Sequence, residues 1–590
     1  MQTLNPSQKE AVCHRSSPLL VLSGPGTGKT RVLVERIKHL IFKENVQPAS
    51  ILAITFTVNA ATEILKRLRP EHHIETQPMV TTFHGWAYSF LKEQGKKIDI
   101  IGEKEEDVLL REALSQRGLK QTSAPAMLKQ IACAMQRYPI TFEQASLEDV
   151  FRGYKKLKNT CNLASYDDLI HEAIDLLRQP SINSEFRKRF RFILVDEFQD
   201  INPVQYEIVR LMAWPDGEIT AIGDPNQAIY SFRGSAPQLI QDFQQDFGCV
   251  KTVVLDTSYR TPQGFLNAAC AVLKENGQRL CSTKSHGPLI EHMVFEDEKT
   301  EANWITGIIA SQCGLSLETM RGDEHRQFSD FAVLSRLNSV CETIANQMQK
   351  KGIPCQTRSN FMAKMPWLEP LAWTWRTVSA STQQKNNFFL QMATKEITHM
   401  KKEQKDLSTS ILKAAISFVQ NHDPADTPKQ PVELFDLLVT ALNLDFVSGI
   451  EAIVLKSVRE MLWTMPQIVD LEPLLKDDVS VLGIKSEAVR FLTLHGAKGM
   501  EFPVVIVAGL EEGILPLHGA DINEERRLLY VGMTRACERL YLTSVKHRKL
   551  HGQAQPLLPS RFLADMPAGL FSCSAEKGKV KKKQVYKKLF

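Results

Sequence analysis

Apolar positions in this chain fall into short unbroken runs separated by stretches with helical spacing. A polar, helix-compatible stretch, Pro6–Val12, leads into the run Leu19–Leu22 and a Gly-rich loop. Thr30–Phe42 then repeats apolar residues at Val34, Ile37 and Ile41, predicting strand, loop and helix in succession. Further buried strands are predicted at Ile51–Phe56, Phe192–Val195 and Ile219–Ile222, and again at Val253–Leu255 and Phe331–Leu334. Lys92–Leu163 is helical and charge-rich, without a buried-strand signal. Residues 366–485 also read as largely helical, with Trp367, Trp373, Trp375 and Trp463 as expected core anchors. Strands at Phe491–Leu494 and Val504–Val507 precede a helix at Glu524–Ala536 and a strand at Leu540–Thr543. This order predicts two α/β blocks, each interrupted by a mainly helical insertion.

Composition adds three constraints. At 590 residues the chain is expected to hold about three to five domains. No apolar run approaches the roughly 18 residues of a membrane helix, and the start MQTLNPSQKEA lacks the basic and apolar regions of a secretory signal. No membrane association is expected, and residence is expected to be cytoplasmic, near the nucleoid, in a bacterium or nuclear in a eukaryote. Eleven scattered Cys without a Cys-x-x-Cys pair predict neither a disulfide framework nor a zinc ribbon. The net charge of +5 is concentrated at the end, because residues 577–590 hold seven Lys and no acid. The body is near neutral, so a grip on nucleic acid there must come from local grooves.

Three motifs carry chemistry. In Ser23-Gly-Pro-Gly-Thr-Gly-Lys29-Thr30, the loop Gly24, Gly26, Thr27 and Gly28 lets backbone N–H groups cradle phosphate oxygens at a helix start. Lys29 suits the β- and γ-phosphates, and the Thr30 hydroxyl suits Mg²⁺. The strand Phe192–Val195 runs straight into Asp196 and Glu197, placing two acids at the carboxyl edge of a sheet. Asp196 suits a Mg²⁺ ligand and Glu197 a base polarising water. The third motif, Ile222-Gly-Asp224-Pro-Asn-Gln227-Ala-Ile-Tyr230-Ser-Phe232-Arg233, follows another strand. There Gln227 can sense a γ-phosphate, and Tyr230, Phe232 and Arg233 offer two ring faces and a cation. Each motif also has a purely structural reading: a Gly-rich turn, acids capping a helix, an aromatic pair in a core.

Taken in order, these residues resemble the superfamily 1 DNA helicases of the UvrD/Rep/PcrA type, from Leu4 to Thr543. LNPSQKEAV resembles the Q motif, and AITFTVNAA and TTFHGWAYSFL the next two. LDTSYRTP resembles motif IV, FLTLHGAKGMEFPVV motif V, and EERRLLYVGMTRA is the best match of all. The resemblance implies an α/β fold of two RecA-like P-loop domains with ATP and Mg²⁺ in the cleft between them. It divides the chain into domain 1A (1–91 and 166–248) with insertion 1B (92–165), and domain 2A (249–365 and 486–565) with a shortened insertion 2B (366–485). Residues 566–590 remain as a basic tail. No nuclease domain of the kind carried by RecB- or AddA-like relatives is expected in the segment after Thr543.

By the same resemblance, Gln8 reads the adenine edge, Arg36 packs near the base, Tyr259 stacks on adenine and Glu501 holds the ribose. Arg260 and Arg535 reach the γ-phosphate from the second domain, joining Lys29, Glu197 and Gln227 as the catalytic set. Single-stranded DNA is implied to run past Phe56, Thr82, His84, Tyr230, Phe232, Arg233, Arg336 and His495. The implied activity is ATP-dependent translocation 3′→5′ on single strands and unwinding of tailed duplexes, in repair, replication or recombination. A protein partner for the Lys-rich tail is a further expectation. The chain departs from the family pattern at Ser23 for Gly, Phe232 for Trp, Val58-Asn59 for Asn-Lys and Gly496 for Ser or Ala. The short insertions leave open a translocase that strips proteins from single strands, and the basic tail a helicase-like scaffold subunit.

Overall fold

The structure, a computed structural model, describes residues 4–575 except 16, 69–76, 97, 161, 214–216, 275–279, 315–325, 358–366, 380–406, 424–425, 429, 445–454, 457, 460–461, 463–486 and 551–552. Two large sheets organise it. The first takes strands β1 (Leu19–Ser23), β2 (Ile51–Thr55), β3 (Met79–Thr82), β6 (Phe192–Val195), β7 (Glu218–Gly223) and β8 (Lys251–Leu255), in the spatial order β3-β2-β6-β7-β1-β8. All pairs are parallel. Such a sheet is covered by helices on both faces, which is why its strands read as continuous apolar runs. Alternate residues supply the two cores: Leu20, Leu52, Ile54 and Val195 on one face, and Leu19, Val21, Ile51 and Leu194 on the other.

The second sheet orders β13 (Cys355–Thr357), β14 (Val489–Thr493), β12 (Phe331–Ser335), β15 (Phe502–Ala508), β16 (Ala536–Leu550), β11 (Ile290–Asp297) and β18 (Phe571–Ala575). It is parallel throughout, with β17 (Gln553–Pro556) added antiparallel to β16. β9 (Thr257–Ser258) and β10 (Cys281–Ser282) form a separate parallel pair. Two strands join sheets across the expected boundaries. β8 lies beyond residue 248 yet pairs with β1, Leu19 opposite Lys251, so the first sheet claims it to cover its open edge. β18 lies within 566–590 yet pairs with β11, so that segment is not tail from its start.

The first insertion packs the helices Glu103–Ser115, Ala124–Met135 and Ala145–Thr160 around Leu110, Leu114, Ile131, Val150 and Tyr154. A strand pair absent from the expectation, β4 (Asp99–Ile100) with β5 (Leu163–Ala164), closes its base. In the second insertion, Trp367 and Trp375 are buried with Leu371, Leu434, Phe435 and Leu438. The Trp373 side chain, Trp463 and residues 577–590 lie outside the described residues. Among the described residues, no helix is long and apolar enough to cross a membrane.

Candidate nucleotide and nucleic-acid site

β1 delivers the Gly-rich loop to the carboxyl edge of the first sheet. Gly26 and Gly28 take φ of 72° and 89°, the left-handed turns that open the loop before the helix Lys29–Phe42. Ser23, standing where the family has Gly, donates its hydroxyl to the Gly223 carbonyl at 3.0 Å and ties β1 to β7. Thr27 donates to the Gly24 carbonyl at 2.9 Å. Beside the loop, the helix Pro6–Cys13 starts with a capping box between Asn5 and Gln8. That box aims the buried Gln8 amide at the loop, where Nε2 donates to the Thr27 carbonyl at 2.9 Å.

β6 ends in the acids. Asp196 is buried, and its Oδ1 has no hydrogen-bond partner. Glu197 sits at φ 51° and ψ 44°, a left-handed conformation rare for a non-glycine residue. Burial, aided by the charge of Glu197, pushes the Asp196 carboxyl up to about 7. Burial also opposes ionisation of Glu197, but Lys29, Lys498, Arg535 and a Gln199 hydrogen bond outweigh it and bring the value down to about 2. The pair is thereby split into a charged Glu197 and an Asp196 that holds its proton more tightly. Gln199 donates to Glu197 Oε2 at 2.5 Å and accepts from the Asp224 amide at 2.9 Å, joining the acids to the loop after β7. There Gln227 Nε2 donates to Asp224 Oδ2 at 2.6 Å, and Lys29 Nζ stands 4.0 Å from the same oxygen.

The second α/β unit approaches this loop closely. Ser258 donates to the Pro25 carbonyl at 2.8 Å, and the Tyr259 amide donates to the Gly26 carbonyl at 2.9 Å. A Cβ added at Gly26 would stand 2.7 Å from both Arg260 Cβ and Ser258 Oγ, so this contact requires glycine. The Tyr259 hydroxyl accepts from Asn5 Nδ2 at 2.9 Å, setting its half-exposed ring beside the Gln8 helix. Arg260 donates to the Thr534 carbonyl at 3.1 Å and pairs with Glu501 at 3.4 Å. Arg535 is buried, and burial together with neighbouring Arg260 holds its guanidinium down at about 9. It donates to Val531 and Met500 carbonyls and reaches Gln227 Oε1 at 3.4 Å.

Two findings depart from the sequence expectation. Arg36 is not at the nucleotide cleft. Two helical turns past Lys29, it is buried beneath the Gln8 helix, donating to Thr220 Oγ1 and to the Ala11, Val12 and His14 carbonyls. It is a brace for that helix. Lys498, not singled out by sequence, crosses the cleft to donate to both Asp200 oxygens at 2.7 and 2.5 Å and to the Gln227 carbonyl at 2.6 Å. The signal available was a lone cation inside FLTLHGAKGMEFPVV.

Beyond Gln227 the rings assemble. Phe56 stacks on Tyr230 with centroids 5.2 Å apart and planes 15° from parallel. Phe232 lies edge-on to Tyr230 and to His495, at 6.0 and 5.6 Å, and is 63% exposed. Arg233 lies over both the Tyr230 and Phe232 rings, and Lys498 over Tyr230 at 5.0 Å. Thr82 caps the helix Phe83–Glu93 through the Gly85 amide. His84 sits edge-on to Tyr166, and burial holds its imidazole down at about 4, so it stays neutral. Arg336 is paired with buried Glu525 at 2.9 Å.

Comparison with known proteins gives two family matches. The UvrD/REP helicase N-terminal domain matches residues 4–248, and the UvrD-like helicase C-terminal domain matches 253–363 and 377–547. The chain is 29% identical to the ATP-dependent DNA helicase PcrA of Leuconostoc citreum, across 95% of this chain and 84% of the relative. It is 28% identical to PcrA of Staphylococcus epidermidis, across 97% and 87%. Against the ATP-dependent DNA helicase UvrD1 of Mycobacterium leprae it is 29% identical, across 96% and 86%.

Proposed function

The chain belongs to the UvrD/REP helicase family, and from that premise we propose how its residues perform the work of an ATP-dependent DNA helicase. The observation that carries the reading is the loop Asp224–Arg233. At one end Gln227 touches Asp224, Arg535 and, through its carbonyl, Lys498; three residues on, the same loop presents the Tyr230 and Phe232 rings. Nucleotide state and strand contact therefore share one short segment.

In this reading the Gly24–Gly28 amides and Lys29 hold the phosphates, with Gln8 and Tyr259 at the base and Glu501 at the ribose. The charged Glu197 orients and polarises the attacking water. Arg260 and Arg535, both from the second unit, neutralise charge developing on the γ-phosphate when the cleft is closed. A cation supplied across a cleft in this way contributes on the order of 10³–10⁵ in rate. The buried, unpartnered Asp196 Oδ1 and the Thr30 hydroxyl fit a Mg²⁺ site. When bound, Mg²⁺ supplies charge neutralisation at the β- and γ-phosphate oxygens.

Single-stranded DNA runs over Phe56, Tyr230, Phe232 and His495, with Thr82, His84, Arg233 and Arg336 along the same path. Stacking on a ring contributes roughly 1–3 kcal/mol per base, against about 1.4 kcal/mol for opening a base-pair step. Rings of this kind can hold a strand against reannealing while the cleft cycles, moving the protein 3′→5′. The bacterial relatives support the cytoplasmic, nucleoid-associated reading over the nuclear one. The test is ATP turnover with and without single-stranded DNA, in the wild type and in Glu197→Gln. DNA-stimulated turnover that collapses in the variant is expected; undiminished turnover in Glu197→Gln would sink the assignment.

A further inference from the structure

The helix Ile522–Met533 is capped by Asp521, whose side chain accepts from the Asn523 and Glu524 amides. The cap is complete without the Glu524 carboxylate, which reaches the other α/β unit. Its Oε1 accepts the Ser231 amide at 3.0 Å, and its Oε2 accepts the Ser231 hydroxyl. Ser231 is the residue between the Tyr230 and Phe232 rings. One turn along the helix, Arg527 Nε donates to the Ala228 carbonyl at 2.7 Å. Just past the helix end, Arg535 reaches Gln227. One helix and its flank thus grip the segment 227–231 at three points, running antiparallel to it.

We propose that Glu524 is a positioning residue that couples occupancy of the strand path to the placement of Arg535, and so governs how strongly DNA stimulates ATP hydrolysis. The inference rests on the reading above, in which the strand lies on Tyr230 and Phe232. A carboxylate taking an N–H and an O–H from one residue makes charge-assisted hydrogen bonds, stronger than neutral ones. A base seated on either ring bears on the backbone that Glu524 holds. A helix rises 1.5 Å per residue, so a shift at Glu524 is carried about 14 Å to the helix end at Met533, two residues before Arg535, by a rigid element. Coupling of binding sites is reciprocal. Nucleotide binding must therefore tighten the grip on DNA by the factor through which DNA tightens nucleotide binding.

The test uses the full chain as wild type, Glu524→Gln, Ser231→Ala and Ser231→Thr. Turnover is measured with and without an oligo-dT strand, and oligo-dT affinity with and without a non-hydrolysable ATP analogue. Glu524→Gln keeps the side-chain volume and the Asp521 cap, so the helix is retained. In Glu524→Gln and Ser231→Ala, basal turnover is expected to stay unchanged. DNA stimulation and the analogue-induced gain in DNA affinity should both fall by about five- to tenfold, within the usual range of site–site coupling. Ser231→Thr, which keeps the hydroxyl, should restore both. Unchanged stimulation in Glu524→Gln and Ser231→Ala would overturn the proposal. An equal fall in basal and stimulated turnover would reduce Glu524 to a structural role, and a rise in basal turnover would make the contact a brake; either result overturns it. A wild type that DNA does not stimulate would instead remove the reading on which the inference stands.

Discussion

Replacing Lys498 by Met probes a buried ion pair that links the two units across the cleft. Lys498 and Asp200 are 7% and 1% exposed at their side chains, and the ammonium holds both Asp200 oxygens and the Gln227 carbonyl. Methionine preserves the stem but removes the charge. Breaking a buried pair from one side costs about 3–5 kcal/mol, unless the stranded group can neutralise itself. Asp200 can: burial pushes its carboxyl up to about 7 even with Lys498 present, and losing the cation pushes it higher. A carboxyl whose folded value exceeds its unfolded value, 3.8, binds more protons in the folded state and subtracts stability as pH rises through that interval. In the wild type this loss levels off near pH 7. In Lys498→Met it continues upward at about 1.4 kcal/mol per pH unit. The deficit of the variant should therefore be small near about pH 6 and widen toward about pH 9, up to the 3–5 kcal/mol bound. Urea unfolding followed by circular dichroism at both pH values measures it, and adding Asp200→Asn should remove most of the alkaline deficit. A deficit independent of pH, or none at all, would show that Asp200 does not neutralise itself when Lys498 is lost.

Three further outcomes follow from particular contacts. Gly26→Ala meets both a positive φ, which strains the loop itself, and a Cβ position 2.7 Å from Arg260 Cβ, which opposes closure; with strain of about 1–3 kcal/mol, kcat/KM for ATP should fall roughly tenfold and the melting temperature should drop slightly. Phe232→Ala removes an exposed ring, so oligo-dT affinity by fluorescence anisotropy should weaken by about 1–3 kcal/mol with folding unaffected. Deleting residues 577–590 removes seven Lys and should flatten the salt dependence of DNA binding while sparing ATP turnover; a parallel loss of turnover would assign the tail to the motor.

What the sequence made legible was local chemistry. A phosphate-binding loop is built from consecutive backbone amides, so Gly24 to Thr30 announce it without knowledge of the rest of the fold. Asp196 and Glu197 are readable because a buried strand must end where they stand. Residues whose roles depend on distant packing were harder. Arg36 lies on the correct helix but on its buried side, a fact set by the Gln8 helix lying over it. Lys498 gains its role only from Asp200 and Gln227, which fold next to it from the other unit. β8 looked like the start of the second unit because nothing in Lys251–Leu255 states which open edge it will cover. β18, Phe571–Ala575, is too short and polar to signal a strand; β11 defines it by offering an edge.

In the proposed mechanism, ATP turnover at the cleft drives movement along one strand in one direction. Strand displacement from duplexes bearing either a 3′ or a 5′ single-stranded tail tests it most directly, with ATP and Mg²⁺ supplied. ATP-dependent displacement is expected from the 3′-tailed duplex and none from the 5′-tailed one, with activity lost in Glu197→Gln. Displacement from the 5′-tailed duplex alone, or equal displacement with and without ATP, would contradict this mechanism.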